Sequence, residues 1–331
     1  MATKGLTNPT LQDVASRTDP DGSIADVVEI LSETNEILDD ATFIECNDGT
    51  THKTTVRSGL PTATWRKLNY GVQPSKSQTV PVRDGVGMLE NYAESDKALV
   101  DMSGDPQGFR LSEDRAFIEG MNQDMASGMF YADSSVDKEK FMGLAPRFSS
   151  KATENGDNII LADPSASGSD QTSVWLIVWG PNTVHGLYPK GSKAGLSNKD
   201  LGEVTLEDPE GGKYQGYRSH YKWDIGITVR DWGYVVRIAN IDTSALTKDA
   251  SAGADLIDAM VQALEQVKDL NMGRPAFYCN RTVRSFLRRQ MANKSNVNLT
   301  LDTAGGKKVL SFDEVPLRRC DAILNTEAVV S

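Results

Sequence analysis

The stretch from His52 to Gly85 constrains the fold of this chain most strongly, because it is built like a pair of strands but cannot pack against itself. β-Branched residues occur at strand-like density between turn signals, so the pattern predicts a long irregular hairpin, called the basic hairpin below. Its large apolar side chains are Leu60, Trp65, Leu68 and Tyr70. A two-stranded ribbon of this size is marginally stable in water unless another surface covers it. The stretch is therefore either a contact surface for a partner or an ordinary solvated loop.

The basic hairpin and the residues before it carry opposite charges. Within residues 52–85, six basic residues and one acid give a balance of plus five. Within residues 1–50, eleven acids and two basic residues give a balance of minus nine. Opposite charges on one chain favour contacts between copies of that chain. The predicted inter-subunit contact residues are Arg57, Trp65, Arg66, Lys67 and Lys76 on the hairpin and Glu33, Glu36, Asp39 and Asp40 before it.

Size and composition indicate a globular protein. The chain has 331 residues, of which 39% are hydrophobic and 24% charged, enough for one large domain or two smaller ones. It contains neither a long apolar run nor an apolar segment near its start, so we expect no membrane span and no secretion signal. Three widely spaced cysteines are typical of a reducing compartment. The net charge of −11 argues against tight, extensive contact with nucleic acid, though not against enclosing it.

The remaining patterns predict an α+β fold with one long helix. Helices are predicted over residues 23–40, over 88–101, from Ser112 to about 132, over 253–270, and after a cap at Asn280. Strands are predicted over 174–179, 184–188, 217–229, 234–241, 275–279, 297–301, 309–312 and 322–324, with a surface excursion over 189–216. The apolar stripe of the long helix, which includes Met121, Met125 and Met129, is expected in the core. No regular βαβ alternation is visible.

No motif in the sequence carries catalytic chemistry. His52, His185 and His220 are isolated from other potential metal ligands, and the patterns of zinc sites, calcium loops and nucleophile elbows do not occur. We therefore predict no catalytic, cofactor-binding or metal-binding residue, and no enzymatic activity. A further basic cluster follows the predicted cap, where it forms either a docking face for a polyanion or acidic partner or a solvated helix surface. Its members are Arg281, Arg284, Arg288, Arg289 and Lys294.

Six segments of the chain give it a resemblance to a known family. They are RSGLPTATWRKLNYGVQPSKS, ENYAESDKALVD, FMGLAPRF, VWLIVWGPNTVHGLYPKGSKAGL, YVVRIANID and VPLRRCDAIL, in this order. In order and spacing they resemble the major capsid proteins of tailed bacteriophages of the short-tailed, podovirus-like type, which have the Hong Kong 97 phage capsid fold. None of them is a chemical motif, so the resemblance identifies a family and not the role of any residue.

The resemblance implies an α+β capsid subunit with a defined division of the chain. The implied parts are an N-terminal arm and helix (1–51), an extended loop (52–85), a peripheral domain with a spine helix (86–173), a mostly axial domain (174–270) and the remaining axial and peripheral core (271–331). Such a subunit is a structural protein that self-assembles through hexamers and pentamers into an icosahedral shell around the double-stranded DNA genome. No cofactor, membrane or sequence-specific DNA contact is implied.

The resemblance also implies partners and a location. Portal, scaffolding and decoration proteins are the expected partners besides other copies of the chain. The expected location is the virion, after synthesis in the cytoplasm of a bacterial host. Two other interpretations stay open from the sequence. One is a subunit of an encapsulin-like compartment that encloses cargo enzymes, and the other is a soluble hydrolase or ligand-binding protein with a β-rich second half.

Overall fold

The structure is a computed structural model of the full chain, and it describes part of it. The described residues are Pro9 and residues 33–153, 155–244, 246, 256–293, 299–304 and 307–331. For residues 290–309 within these ranges, the description covers the backbone and not the side chains. Most of the helix predicted over residues 23–40 therefore lies outside the described residues. Its described end is one helical turn, α1 (Ile37–Asp40), which buries Ile37.

Most of the described strands form one mixed sheet. Its principal order is β12 (Leu299–Ala304), β13 (Lys307–Phe312), β14 (Val315–Arg319), β11 (Arg274–Cys279), β6 (Gln171–Trp179), β7 (Val184–Tyr188), β9 (Lys213–Val229) and β4 (Gly87–Asp96). Further strands join at the sides: β1 (Phe43–Glu45) pairs with β7, β8 (Ser197–Glu207) with β9, and β10 (Val235–Asp242) with both β6 and β5 (Ile159–Leu161). The fold is thus mixed helix and sheet, as the sequence predicts.

Strand β6 lies at the centre of the core, because every residue in it is buried. Successive side chains of a strand point to opposite faces. Trp175, Ile177 and Trp179 accordingly pack in one cluster with the long helix and the short helix α4 (Leu144–Arg147), while Val174 and Leu176 pack in a second cluster on the other side. The second cluster includes residues of two helices, α5 (Leu256–Gln266) and α6 (Arg281–Asn293). Both faces of the sheet are covered, which explains the continuous apolar run in the sequence.

The long helix, α3, spans Pro106–Tyr131 and is about 39 Å long at 1.5 Å per residue. The prediction of Ser112 as its N-cap was wrong. The helix begins two turns earlier, where the side chain of Asp105 accepts a hydrogen bond from the N–H of Gly108 and Pro106 occupies the first turn. The methionines of the expected stripe, Met121, Met125 and Met129, are all buried, whereas Phe117 and Ile118, which were predicted in the same stripe, are half-buried and exposed.

The helix predicted over residues 88–101 was also wrong. Residues 87–96 form strand β4, and only its end continues into a short helix, α2 (Lys97–Met102), which Asp96 caps. β4 pairs antiparallel with residues 216–225 of β9 along its whole length. Five of its ten residues, Met88, Leu89, Glu90, Ala93 and Glu94, are good helix formers, but a ladder of backbone hydrogen bonds to a distant strand outweighs that local preference.

Three smaller predictions need correction. The surface excursion expected over 189–216 contains β8 and the start of β9, which pair antiparallel as a long hairpin. The strand expected at 322–324 is a turn, and the last strand is β14, parallel to β11. The helix expected over 253–270 is described from Leu256 to Gln266, with a short 3-10 turn at Leu270–Met272. No helix in the described part of the chain is long and apolar enough to cross a membrane.

Candidate assembly interface

The basic hairpin is a two-stranded ribbon separate from the main sheet. Strands β2 (Thr51–Gly59) and β3 (Gln78–Gly85) pair antiparallel, and residues 60–77 between them, called the hairpin tip below, contain no strand. The large apolar side chains of the tip are exposed to solvent, by 76% for Leu60, 100% for Trp65, 84% for Leu68 and 70% for Tyr70. The predicted irregular hairpin is confirmed. A group of exposed large apolar side chains on one segment marks a surface that another surface covers.

The root of the hairpin, in contrast, is firmly attached to the body of the subunit. Asp84 on β3 is buried, and its carboxylate accepts hydrogen bonds from the hydroxyl of Thr228 and, at 2.8 Å, from the guanidinium of Arg147. The same guanidinium also donates to the carbonyls of Met142 and Ile227. A buried ion pair with its remaining donors satisfied fixes geometry closely. The tip is therefore presented from a rigid base.

Two of the isolated histidines meet at this root. The rings of His52 and His185 lie 5.6 Å apart, edge to face, and both residues are buried. Neither ring nitrogen of His185 makes a hydrogen bond, and Nδ1 of His52 makes none. Burial lowers the pKa of His185 to about 4 and also lowers the pKa of His52. Both histidines are therefore neutral at physiological pH. Among the described residues, no three potential ligand side chains come together as a metal site.

The structure places the nine predicted contact residues in two different situations. The hairpin members Arg57, Trp65, Arg66, Lys67 and Lys76 are all exposed. Of the four acids, two have partners in their own chain. Glu36 lies 3.3 Å from Arg318, and Asp40 lies 3.1 Å from Arg318 and accepts a hydrogen bond from Tyr278 at 2.9 Å. Asp39 is exposed and Glu33 half-buried, and contact of any of the nine with a neighbouring subunit stays a prediction.

A buried charged cluster that sequence reasoning missed joins the long helix, the sheet and the last residues of the chain. Arg237 on β10 pairs with Glu327 at 2.9 Å, and both side chains are about 5% exposed or less. The carboxylate of Glu327 also accepts hydrogen bonds from the hydroxyls of Tyr131 and Ser173. The sequence signal that points to this cluster is the single arginine within the apolar run YVVRIANI. A charge in a protein core requires a partner of opposite charge, so this arginine predicts a buried acid beside it.

This combination defines a class of protein. A mixed sheet backed by a long helix, with a separate hairpin that has a rigid root and an uncovered apolar tip, is the architecture of a shell-forming subunit with the Hong Kong 97 phage capsid fold. The chain belongs to the family of the major capsid protein GP7, whose family model matches residues 19–331. It is the major capsid protein of a phage.

Comparison with solved structures agrees with the family. A chain in a cryo-electron-microscopy structure of bacteriophage epsilon15 is 44% identical, with 100% of this chain and 99% of that chain covered and a TM-score of 0.81. The capsid of bacteriophage JBD30 gives 9% identity, coverage of 89% and 92%, and a TM-score of 0.47. The SrpI encapsulin of Synechococcus elongatus PCC 7942 gives 13% identity, coverage of 70% and 96%, and a TM-score of 0.44. No curated protein matches the sequence.

Proposed function

We propose that this capsid protein assembles through its basic hairpin, whose tip lies against a neighbouring subunit in the hexamers and pentamers of an icosahedral shell. The observation that carries the proposal is the contrast within one hairpin. Its root is held by the buried pair of Asp84 and Arg147, whereas Trp65 at its tip is fully exposed. Burying an exposed aromatic side chain is strongly favourable, at roughly 25 cal/mol per Å² of apolar surface. Such a tip gains a covering only from another chain.

The proposal extends to the partners and the location of the shell. The enclosed molecule is the double-stranded DNA genome, and portal, scaffolding and decoration proteins complete the particle. The subunit is synthesised in the cytoplasm of the bacterial host and acts as a structural protein without catalysis. The family match over residues 19–331 supports a phage shell over an encapsulin-like compartment.

A shortened hairpin tests this function. Replacing residues 60–77 by Asn-Gly joins Gly59 to Gln78, which already face each other in the ladder, through a two-residue turn that suits a hairpin. Because no core residue is removed, we expect the free energy of unfolding of the unassembled subunit to change by no more than about 0.5 kcal/mol. Shell formation, followed by light scattering and electron microscopy, should be lost. Normal shells from this variant would contradict the proposal.

Point substitutions separate the apolar contact from the length of the hairpin. We expect Trp65→Ala combined with Leu68→Ala to weaken assembly without changing the melting temperature of the subunit. The matched control is Val136→Ala, which removes a side chain that is 78% exposed outside the hairpin. The control should assemble normally. Equal loss of assembly in both variants would mean that the tip has no special role.

A further inference from the structure

Helix α6 forms one wall of a recess that is lined by arginines. The recess has a volume of about 410 Å³, and its lining residues are Arg281, Arg284, Ser285, Arg288, Arg289 and Arg319. Every charged side chain among them is positive. Guanidinium groups brought together in this way repel one another unless anionic groups lie between them.

The carboxylates nearby are too few to balance these arginines. Asp321 lies 3.0 Å from Arg281 and 2.5 Å from Arg319, so one carboxylate serves two guanidiniums. Glu36 is likewise divided, at 3.9 Å from Arg284 and 3.3 Å from Arg318. Asp40 lies beside Arg318. Three carboxylates therefore serve a group of six arginines, which consists of Arg318 and the five that line the recess.

Within the described part of the chain, two arginines of the recess have no acidic partner, and one nitrogen of a third arginine has no hydrogen-bond partner. Arg288 makes no ion pair there, and Arg289 lies over the ring of Phe286, at 5.1 Å from the ring centre, and not beside a carboxylate. Nε of Arg284 is buried and has no hydrogen-bond partner. A buried donor without a partner costs free energy, so this nitrogen is a second indication that an acceptor binds in the recess.

The helix presents these arginines for a simple reason of spacing. Val283 and Leu287 are fully buried in the core, which turns the opposite face of α6 outward. Arg281, Arg284 and Arg288 follow at intervals of three and four residues, so they share one face over about 10 Å of helix. The side chain of Arg281 is 66% exposed. The row is therefore open to a ligand as large as a polymer.

We propose that this arginine recess binds phosphate groups of the enclosed double-stranded DNA. Guanidinium groups match phosphate oxygens with paired hydrogen bonds, and duplex DNA carries about one negative charge per 1.7 Å of its axis. Over the 10 Å of the arginine row, a duplex supplies about six phosphates, which is more than the excess positive charge requires. The inference rests on the proposed function, namely that the shell encloses DNA, and it places α6 on the inner side of that shell.

Acidic segments of a second copy fit the recess less well than DNA does. The acids around it, Asp321, Glu36 and Asp40, already pair with arginines of their own chain, so the same acids of a neighbour are engaged as well. The chain as a whole is acidic, with a net charge of −11. It repels DNA at most other places, so binding is local, weak and independent of base sequence. Such binding holds the genome without preventing its release.

Two substitutions test the site on the full-length, unassembled subunit. Arg288→Gln with Arg289→Gln removes two exposed charges that make no ion pair within the described residues, so the subunit should keep its melting temperature. The control, Lys138→Gln with Lys193→Gln, removes the same charge from exposed positions elsewhere. Binding of a short fluorescent DNA duplex is followed by anisotropy between about 50 mM and about 200 mM salt. Inorganic phosphate serves as competitor.

We expect the arginine variant to bind the duplex at least several-fold more weakly than the control at the lower salt concentration. The slope of log K against log salt should decrease in magnitude by about 1.8, because each lost phosphate contact contributes about 0.9. Equal affinity and slope in the two variants would overturn the inference. Reduced shell assembly in the absence of DNA would also overturn it, since the ligand would then be an acidic surface of another subunit.

The same variants distinguish failure of this inference from failure of the proposed function. If the unmodified protein forms shells that never contain DNA in infected cells, the proposed enclosure of the genome is wrong. If shells form and fill normally in the unmodified protein, and the arginine variant binds duplex like the control, only the assignment of the recess is wrong.

Discussion

Arg237 is a charged side chain placed among the most buried strands of the protein. It is stable there because each of its three guanidinium nitrogens donates a hydrogen bond to an acceptor. Nε donates to the hydroxyl of Ser173 at 3.1 Å, and the terminal nitrogens donate to the carbonyl of Phe148 at 2.7 Å and to Glu327 at 2.9 Å. The guanidinium also lies over the ring of Trp175, at 5.1 Å from its centre. The pair therefore attaches the last residues of the chain to the centre of the sheet.

Removing the negative partner of this pair should be far more damaging than removing an exposed one. We expect Glu327→Gln to lower the free energy of unfolding by about 3–5 kcal/mol, because it leaves a buried arginine without a counter-charge. The control is Glu94→Gln, which breaks the partly exposed pair of Glu94 and Arg218 and should cost no more than about 1 kcal/mol. Urea unfolding of the unassembled subunit measures both. Similar losses in the two variants would show that the buried pair has no special role.

At the scale of secondary-structure elements, the basic hairpin joins the subunit at a site that should respond to pH. His185 on β7 faces His52 on β2, and the positive charge of Arg230 adds to the effect of burial in lowering the pKa of His185. The negative charge of Asp84 acts in the opposite direction but its effect is weaker. Asp84 is itself paired with the guanidinium of Arg147. The root is thus stable with both histidines neutral.

Acidification should therefore destabilise the root. Between pH 6.5 and about 4 the unfolded chain binds a proton at His185 that the folded chain excludes, so the free energy of unfolding falls as pH falls. The loss reaches about 3 kcal/mol near the lower limit. In His185→Leu, urea unfolding at several pH values in this range should show a shallower pH dependence. Val136→Ala, which changes an exposed, non-titrating side chain away from the root, should keep the slope of the unmodified protein.

The elements that could be predicted from the sequence are those whose signal is local. The run VWLIVW is apolar at every position, which indicates a strand buried on both faces, and the hairpin tip has no buried residue. β4 could not be predicted, because half of its ten residues are good helix formers and its partner residues lie 120 to 138 positions further along the chain. The start of α3 was within reach, since Asp105 followed by Pro106 is a stronger N-terminal signal than Ser112.

In the candidate interface, too, local features could be predicted from the sequence and contacts between distant residues could not. Exposure of the hairpin tip followed from composition alone. Its attachment did not, because Asp84 and Arg147 are 63 positions apart and nothing in the sequence pairs them. The internal partners of Glu36 and Asp40 were missed for the same reason, since Arg318 is separated from both by more than 270 residues.

At the scale of the whole molecule, the electrostatic free energy of a contact between subunits matters because a shell repeats that contact many times. The chain carries −11 overall, but the basic hairpin is positive. We expect each exposed pair between Arg66 or Lys67 and an acid of a neighbouring subunit to contribute only about 0.2–1 kcal/mol. That is negligible in one subunit. Repeated at every contact of a closed shell, the same small contribution decides whether the shell forms.

Reversing these charges should weaken assembly while leaving the subunit intact. We expect Arg66→Glu with Lys67→Glu to melt like the unmodified subunit and to assemble poorly, most clearly at low salt where screening is least. Light scattering at low and high salt measures the effect. Asp39→Lys with Glu33→Lys in the same chain should restore part of the assembly, since Glu36 and Asp40 are engaged internally. Normal assembly of the double variant at low salt would mean that the opposite charges are coincidental.

The exposed tip of the basic hairpin also bears on how capsid proteins of this kind can diverge. Residues 60–77 contribute nothing to the core, so mutations there escape the selection that folding imposes on most of the chain. In the proposed shell they are constrained by the surface of an identical molecule. A change in the tip and a compensating change in its receiving surface therefore arise in one gene and spread to every copy of the shell at once. Two diverging lineages can in this way lose the ability to form mixed shells while their subunits fold alike.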